Sequence, residues 1–223
     1  MMKCVGRREI VVFLDYDGTL SEIVSNPTEA FMTGQMRAAL EAVSNKFPTA
    51  ILSGRSLRKI YEFVNLTNIY YSGNHGNTVI SPRKGNKIDM YDTTGDRARR
   101  TFEADAGMVD KIVKSEVKKY PDFRVMLGHE VLEVRPNNDL NKGTALELIM
   151  GKMGFTSSNR AVPLFIGDDR TDEDGFRAIK RSGSRLAIVV STVPKETEAI
   201  YSLRNPTEVM QFLWRLVEWK TMK

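Results

Sequence analysis

The 223-residue sequence has a single cysteine, Cys4, so an internal disulfide framework is excluded and a reducing compartment suits the chain. Long apolar runs are also missing. The longest early one, Ile10 to Leu14, is too short for a signal-peptide core or a membrane span. With no targeting segment visible, a cytoplasmic location away from membranes is expected. Internal repeats and low-complexity stretches are absent too. Nor is charge of one sign concentrated. The net charge is +5, but the basic residues are scattered, and the densest cluster, Arg97 to Arg100, lies beside Asp96, Glu103 and Asp105. That pattern suits a small anionic substrate and offers no basic stripe to a nucleic acid. What is present, 41% hydrophobic and 27% charged residues, is the composition of a globular domain with a sizeable core, or a core plus a small insertion.

One stretch organises the rest. The β-branched run Glu9-Ile10-Val11-Val12-Phe13-Leu14 ends abruptly in Asp15-Tyr16-Asp17-Gly18-Thr19. Such a run, bounded by a turn signal, reads as a strand buried on both faces of a parallel sheet. Open α/β sheets bind ligands beyond the carboxyl ends of their strands, where Asp15 and Asp17 sit. Two converging carboxylates repel unless a proton or a cation lies between them, and Mg2+ is the natural hard cation for oxygen ligands. A bare Asp-x-Asp-Gly also suits a plain turn closing a strand, so the remaining residues have to decide.

Apolar residues at helical spacing (Met32, Met36, Ala39, Leu40, Val43) predict a helix between Pro27 and Phe47, with Thr33 as a plausible N-cap. Thr49 to Leu52 is a second buried strand, ending in Ser53-Gly54-Arg55-Ser56, and Leu57, Ile60, Tyr61 and Val64 mark the next helix. Ile69 to Tyr71 is a third strand, leading into Ser72-Gly73-Asn74-His75-Gly76. The strand–helix alternation predicts an α/β fold with a parallel sheet flanked by helices. The rhythm then breaks. Ser81 to Asp96 is polar and turn-rich, Ala98 to Tyr120 is helix-like, and two alternating runs around Gly128-His129-Glu130 read as a hairpin. Residues 79–134 are therefore taken as an insertion in a core of 1–78 and 135–223. The α/β rhythm resumes with a helix opening at Asn141-Lys142, a core strand over Val162 to Ile166, and the acidic loop Gly167 to Asp174. A helix from Gly175 to Arg181, a strand over Leu186 to Val190, and a closing amphipathic helix from Pro206 to Trp219 complete the chain.

Four polar clusters thus follow buried runs: Asp15/Asp17, Ser53/Arg55, Lys142, and Asp168/Asp169/Asp172. Singly, Ser53 reads as a cap, Lys142 as a solvated charge and the acidic loop as a solubilising one. Jointly, aspartates from two strands could ligate Mg2+. Asp15 could attack phosphorus, and Asp17 could protonate the leaving alcohol. Ser53 and Lys142 could hold the phosphoryl group, while Gly18 and Gly54 would let backbone N–H groups approach the anion.

These clusters resemble the four motifs of the haloacid dehalogenase (HAD) superfamily, and more closely the plant-type trehalose 6-phosphate phosphatases. The wording of Phe13 to Leu20, Phe47 to Arg55, Leu132 to Pro136 and Gly167 to Asp174 carries the likeness, together with Tyr71 to Gly76 and Pro194-Lys195-Glu196-Thr197. The resemblance implies a HAD-like Rossmannoid core with a small α+β cap, acting as a Mg2+-dependent phosphatase through an aspartyl-phosphate. Asp15 would be the nucleophile, Asp17 the acid/base, and Ser53 and Lys142 the phosphoryl-holding pair. The metal set would be Asp15, Asp17, Asp168 and Asp169, with the choice of direct ligand between Asp168 and Asp169 open and Asp172 auxiliary. Gly18, Thr19, Gly54, Arg55, His75, Glu133 and Arg135 would face the substrate, although Glu133 and Arg135 could instead form a cross-strand ion pair and His75 could be a turn residue. The implied partner is a small sugar phosphate, trehalose 6-phosphate favoured, with no nucleic acid or membrane and a monomeric state. One departure is visible: the insertion is shorter than the family's cap, as if its first helix and the following strand pair were missing. Two alternatives follow from it, a less selective sugar-phosphate phosphatase and a catalytically weak sugar-phosphate-binding or regulatory protein.

Overall fold

The structure, a computed structural model, describes residues 6, 8–76, 78–82, 90–92, 101–102, 123–127, 132–136, 140–155 and 160–222, those between 90 and 136 as backbone. The chain divides into two compact units, Met1–Asp92 with Leu140–Lys223, and Thr93–Asp139.

In the larger unit, β1 (Glu9–Leu14) is followed by α1 (Gly34–Ser44), β2 (Thr49–Leu52), α2 (Leu57–Val64) and β3 (Tyr70–Gly73). A 3-10 turn, Asn74–Gly76, leads into β4 (Thr78–Ile80) and β5 (Met90–Asp92). The smaller unit contains β6 (Thr101–Phe102), β7 (Phe123–Leu127) and β8 (Leu132–Pro136). The larger unit then resumes with α3 (Lys142–Lys152), β9 (Ala161–Gly167), α4 (Asp172–Arg181), β10 (Leu186–Val190), β11 (Tyr201–Leu203) and α5 (Pro206–Thr221).

The larger sheet runs β11-β10-β9-β1-β2-β3-β4-β5. It is parallel from β11 to β3, and β4 and β5 are added antiparallel. Alternation along β1 divides the core into two layers. Ile10, Val12 and Leu14 join Leu40, Val43, Ile60 and Leu213 on one face. Val11 and Phe13 join Leu146, Ile149, Phe176 and Ile179 on the other. Both faces of β1 are thereby covered by helices, which is why its sequence is an unbroken apolar run. Chain order reverses between β1 and β9, since β2 lies on one side of β1 and β9 on the other. The crevice beyond such a switch point is where open α/β sheets hold ligands.

Several sequence expectations shift. The first helix starts at Gly34 with Thr33 as its N-cap, accepting the Met36 N–H at 3.1 Å, instead of near Pro27. Residues 27–33 are held in irregular form because the Tyr16 hydroxyl donates to Ala30 O at 2.8 Å and accepts the Met32 N–H at 3.3 Å. The helix expected at Gly175 begins at Asp172. Strands β4, β5 and β11 carried no periodic signal, and their pairing with neighbours creates them. The sequence reading ended the core at residue 78, whereas β4 and β5 extend the core's own sheet beyond it. In the smaller unit the hairpin is present as β7 and β8, in register Met126↔Glu133 and Arg124↔Arg135, and β6 makes it a three-stranded sheet. Thr101–Phe102 is therefore strand within a stretch that read as helical. The remainder of that stretch, 98–100 and 103–120, lies outside the described residues.

Candidate active site

Asp15 follows β1 directly and is buried, with 4% of its surface exposed. Its Oδ1 accepts a 2.7 Å hydrogen bond from Lys142 Nζ, and the same ammonium donates to Asp172 Oδ1 at 2.7 Å. Lys142 is itself 3% exposed. It can stand there because α3 begins with it. Asn141 and Thr144 form a reciprocal capping box that fixes the helix start at the sheet edge. Asp172 has both oxygens occupied, since Oδ2 accepts the Asp168 and Asp169 N–H groups at 3.0 Å each. It orients the lysine and closes the turn after β9.

Asp169 Oδ1 accepts from Thr171 N and Oγ1 and from Asp172 N, which turns it into the loop. The carboxylate oxygens that come together, within 4.8 Å of one another, belong to Asp15, Asp168 and Asp172. Because Asp172 is committed to Lys142 and the two N–H groups, Asp15 and Asp168 are the pair with room for a cation. Burial first, then the Asp172 and Asp169 charges, pushes the Asp168 carboxyl up to about 7. Burial likewise raises Asp15, against the pull of Lys142. For Lys142, burial lowers its proton affinity, and the carboxylates of Asp15, Asp172 and Asp169 outweigh that and hold it well above the ordinary value. One buried ammonium among four carboxylates leaves negative charge over, so the donor set fits a hard divalent cation such as Mg2+.

Asp17 is gripped by a bidentate fork: Arg55 Nε donates to Oδ2 at 2.7 Å and Nη2 to Oδ1 at 2.5 Å. Arg55 also donates to Pro27 O. Its guanidinium lies over the rings of Phe63 at 5.0 Å and Tyr16 at 5.8 Å. Stacking from behind and hydrogen bonding in front fix this side chain at 11% exposure while Asp17 keeps 39%. Tyr16 and Phe63, which the sequence reading did not single out, are what hold it there.

Gly18 differs from its sequence reading. The Gly18 N–H is given to Ser21 O at 2.9 Å, so it is not aimed at an anion. With φ at +75°, Gly18 instead makes space: a Cβ there would lie 2.2 Å from Asp168 Oδ2. A Cβ on Gly54 would lie 2.3 Å from the His75 ring. His75 sits in a left-handed turn (φ 56°) fastened by its N–H to Ser53 O and by Asn74 N–H to Arg55 O. Ser53 is buried, and its Oγ accepts the Arg55 N–H at 3.1 Å. Thr19 is fully enclosed, and among the described residues its hydroxyl has no hydrogen-bond partner. Glu133 and Arg135 both lie on β8, so a cross-strand pair between the two is excluded. Their side chains lie outside the described residues.

The sequence profile of the trehalose-phosphatase family matches this chain over residues 13–104 and 95–207. The chain belongs to that family. It is accordingly a phosphatase with a HAD-like fold. The Arabidopsis thaliana protein named "Probable trehalose-phosphate phosphatase D" is 41% identical to it, across 96% of this chain and 69% of that protein. "Probable trehalose-phosphate phosphatase I" from the same plant is 37% identical over 263 aligned positions, across 100% of this chain and 71% of that protein. An Aspergillus fumigatus trehalose-6-phosphate phosphatase superposes with a TM-score of 0.70 at 25% identity, covering 95% of this chain and 93% of the other. An alignment of 263 positions that carries all 223 residues leaves 40 positions with no residue in this chain. The two profile matches meet at residues 95–104, in the smaller unit, where the sequence had indicated a shortened insertion.

Proposed function

We propose that this member of the trehalose-phosphatase family hydrolyses trehalose 6-phosphate to trehalose and phosphate, through an aspartyl-phosphate on Asp15. One observation carries the reading: a buried lysine pins Asp15 Oδ1 at 2.7 Å, leaving Oδ2 as the nucleophile. In the first step Oδ2 bonds to phosphorus, the bond to the sugar oxygen breaks, and Asp17 supplies that oxygen's proton. In the second, water attacks the phosphoryl group, Asp17 takes its proton, and the Asp15–phosphorus bond breaks. Both Asp17 oxygens are engaged by Arg55. Proton transfer therefore requires the fork to release one of them, which makes Arg55 the residue that presents or withholds the acid. Ser53 and Lys142 position the phosphoryl oxygens and offset their charge. Asp15 and Asp168, with the Asp17 carbonyl, would hold Mg2+. When bound, the ion would neutralise charge developing on the transferred group. The insertion read at residues 79–134 is the part of the chain that the family resemblance assigns to sugar recognition. The setting is cytoplasmic and monomeric, and among the described residues no helix is long and apolar enough to cross a membrane.

The 40 positions missing relative to a plant relative favour a second reading, a sugar-phosphate phosphatase with reduced selectivity. A smaller cap excludes less water and makes fewer contacts to the second sugar ring. Phosphate release from trehalose 6-phosphate, glucose 6-phosphate and p-nitrophenyl phosphate, with and without Mg2+, separates the two. Selective, metal-dependent turnover that Asp15→Asn abolishes is the expected result. Comparable turnover of all three esters would establish the second reading. No turnover by a folded protein that binds Mg2+ would overturn both and leave a sugar-phosphate-binding role.

A further inference from the structure

Pro194-Lys195-Glu196-Thr197 lies outside all four motifs, yet the fold brings it to the site. Strand β10 pairs parallel to β9, with Val189 opposite Gly167, so the chain leaving β10 emerges beside the Asp168 turn. The following loop is held at several points. Ser191 Oγ donates to Val193 O at 2.7 Å, Thr197 Oγ1 donates to Glu173 Oε1 at 2.7 Å, and the Glu198 N–H donates to Glu173 Oε2 at 2.9 Å. Glu173 belongs to the first turn of α4, so the loop is stapled to the helix that follows the acidic turn. Lys195 is exposed, and an exposed lysine usually ranges freely through solvent. This one is folded back, its ammonium donating to the backbone carbonyl of Asp168.

A surface hydrogen bond to a carbonyl contributes little by itself, because water competes for both groups. The consequence is where the charge ends up. Asp15, Asp169 and Asp172 lie within 3.8 Å of the Lys142 ammonium, Asp168 lies beside Asp15 and Asp172, and Arg55 is spent on Asp17. Even a bound divalent cation leaves an excess negative charge before a phosphate ester, itself a dianion, arrives. A further cation at the mouth of the cluster offsets that repulsion, and an ammonium with one donor on a carbonyl has two left for phosphate oxygens.

We propose that Lys195, carried on the stapled loop after β10, is a phosphate-binding residue of this active site. The proposal rests on the phosphatase reading above. Its test is Lys195→Gln and Lys195→Arg, with inorganic phosphate as the probe, read both by calorimetric titration of the Mg2+-loaded protein and as a competitive inhibitor. In Lys195→Gln, phosphate affinity is expected to fall about tenfold, the scale of one charge-assisted hydrogen bond. KM for trehalose 6-phosphate rises in parallel and kcat changes little. The Mg2+ concentration for half-maximal activity stays within about twofold, as an added cation does not help metal binding. Lys195→Arg, which keeps the charge, stays near wild type. Unchanged phosphate affinity in Lys195→Gln would overturn the proposal. So would an equal loss in both variants together with a raised Mg2+ requirement, which would mark Lys195 as holding only the Asp168 turn. If wild type turns over no phosphate ester, the phosphatase reading fails, and the calorimetric titration still decides the role of Lys195.

Discussion

Replacing Lys142 with methionine, which keeps most of the side-chain volume and removes the charge, tests the centre of the site. The wild-type ammonium is 3% exposed and bonds Asp15 and Asp172 at 2.7 Å each. In the variant, two buried carboxylates lose their partner, and removing one side of a buried ion pair costs about 3–5 kcal/mol. For a chain of this size that corresponds to a Tm lower by roughly 6–20 °C. Urea unfolding in EDTA, followed by tryptophan fluorescence, measures it without interference from metal. Both tryptophans, Trp214 and Trp219, lie on α5, so the signal reports the unit that holds the site. Asp172→Asn is the partner variant. Its amide oxygen can still accept the Asp168 and Asp169 N–H groups, but its NH2 then faces the Lys142 ammonium, donor against donor. In the double variant that conflict disappears. Its cost should fall below the sum of the two single costs by about 2 kcal/mol or more. A single-variant cost under about 1 kcal/mol, or strict additivity, would refute the account of Lys142 as a buried counter-ion shared by both carboxylates.

Arg55→Lys keeps the charge but loses the fork on Asp17, so turnover of trehalose 6-phosphate should fall about tenfold or more. Turnover of p-nitrophenyl phosphate, whose leaving group needs no proton, should fall less; equal losses on the two esters would argue against a role in presenting the acid. Gly18→Ala places a methyl 2.2 Å from Asp168 Oδ2 at a φ of +75°. It should cost roughly 1–2 kcal/mol of stability from the backbone strain and raise the Mg2+ concentration needed for half-maximal activity. An unchanged metal requirement would contradict the spacing role given to this glycine. At alkaline pH, burial pushes the Tyr16 phenol up to about 12, and burial raises Tyr71 as well. Their native forms are neutral, so the stability they contribute is intact below pH about 10, where unfolded tyrosine ionises. It is lost as pH rises through the native values. Denaturant titrations between pH 8 and about 11.5 should show that decline, and Tyr16→Phe should reduce its slope. A slope identical to wild type would remove Tyr16 from the explanation.

What the sequence determined by itself is the local part. The run Ile10 to Leu14 had to be covered on both faces, the strand–helix alternation required a parallel sheet, and Thr33 and Asn141 cap their helices through contacts three residues away. Short-range spacing is enough for such features, because the partners are set by helical or extended geometry. The four motifs were legible in the same way, as residue types after buried runs. Tertiary structure alone decided what those residues do. Lys142 meets Asp15 across 127 positions of chain, and Asp172 becomes the lysine's second partner only because β9 lies beside β1. Gly18 reads as an anion-binding glycine until the fold brings Asp168 against it. Lys195 enters the site because β10 is parallel to β9. Strands β4, β5, β6 and β11 are two or three residues each, and hydrogen bonds to neighbours create them, so no periodicity announces them. Pairings of this kind depend on which strand ends lie adjacent, a property of sheet order that no local window of sequence contains.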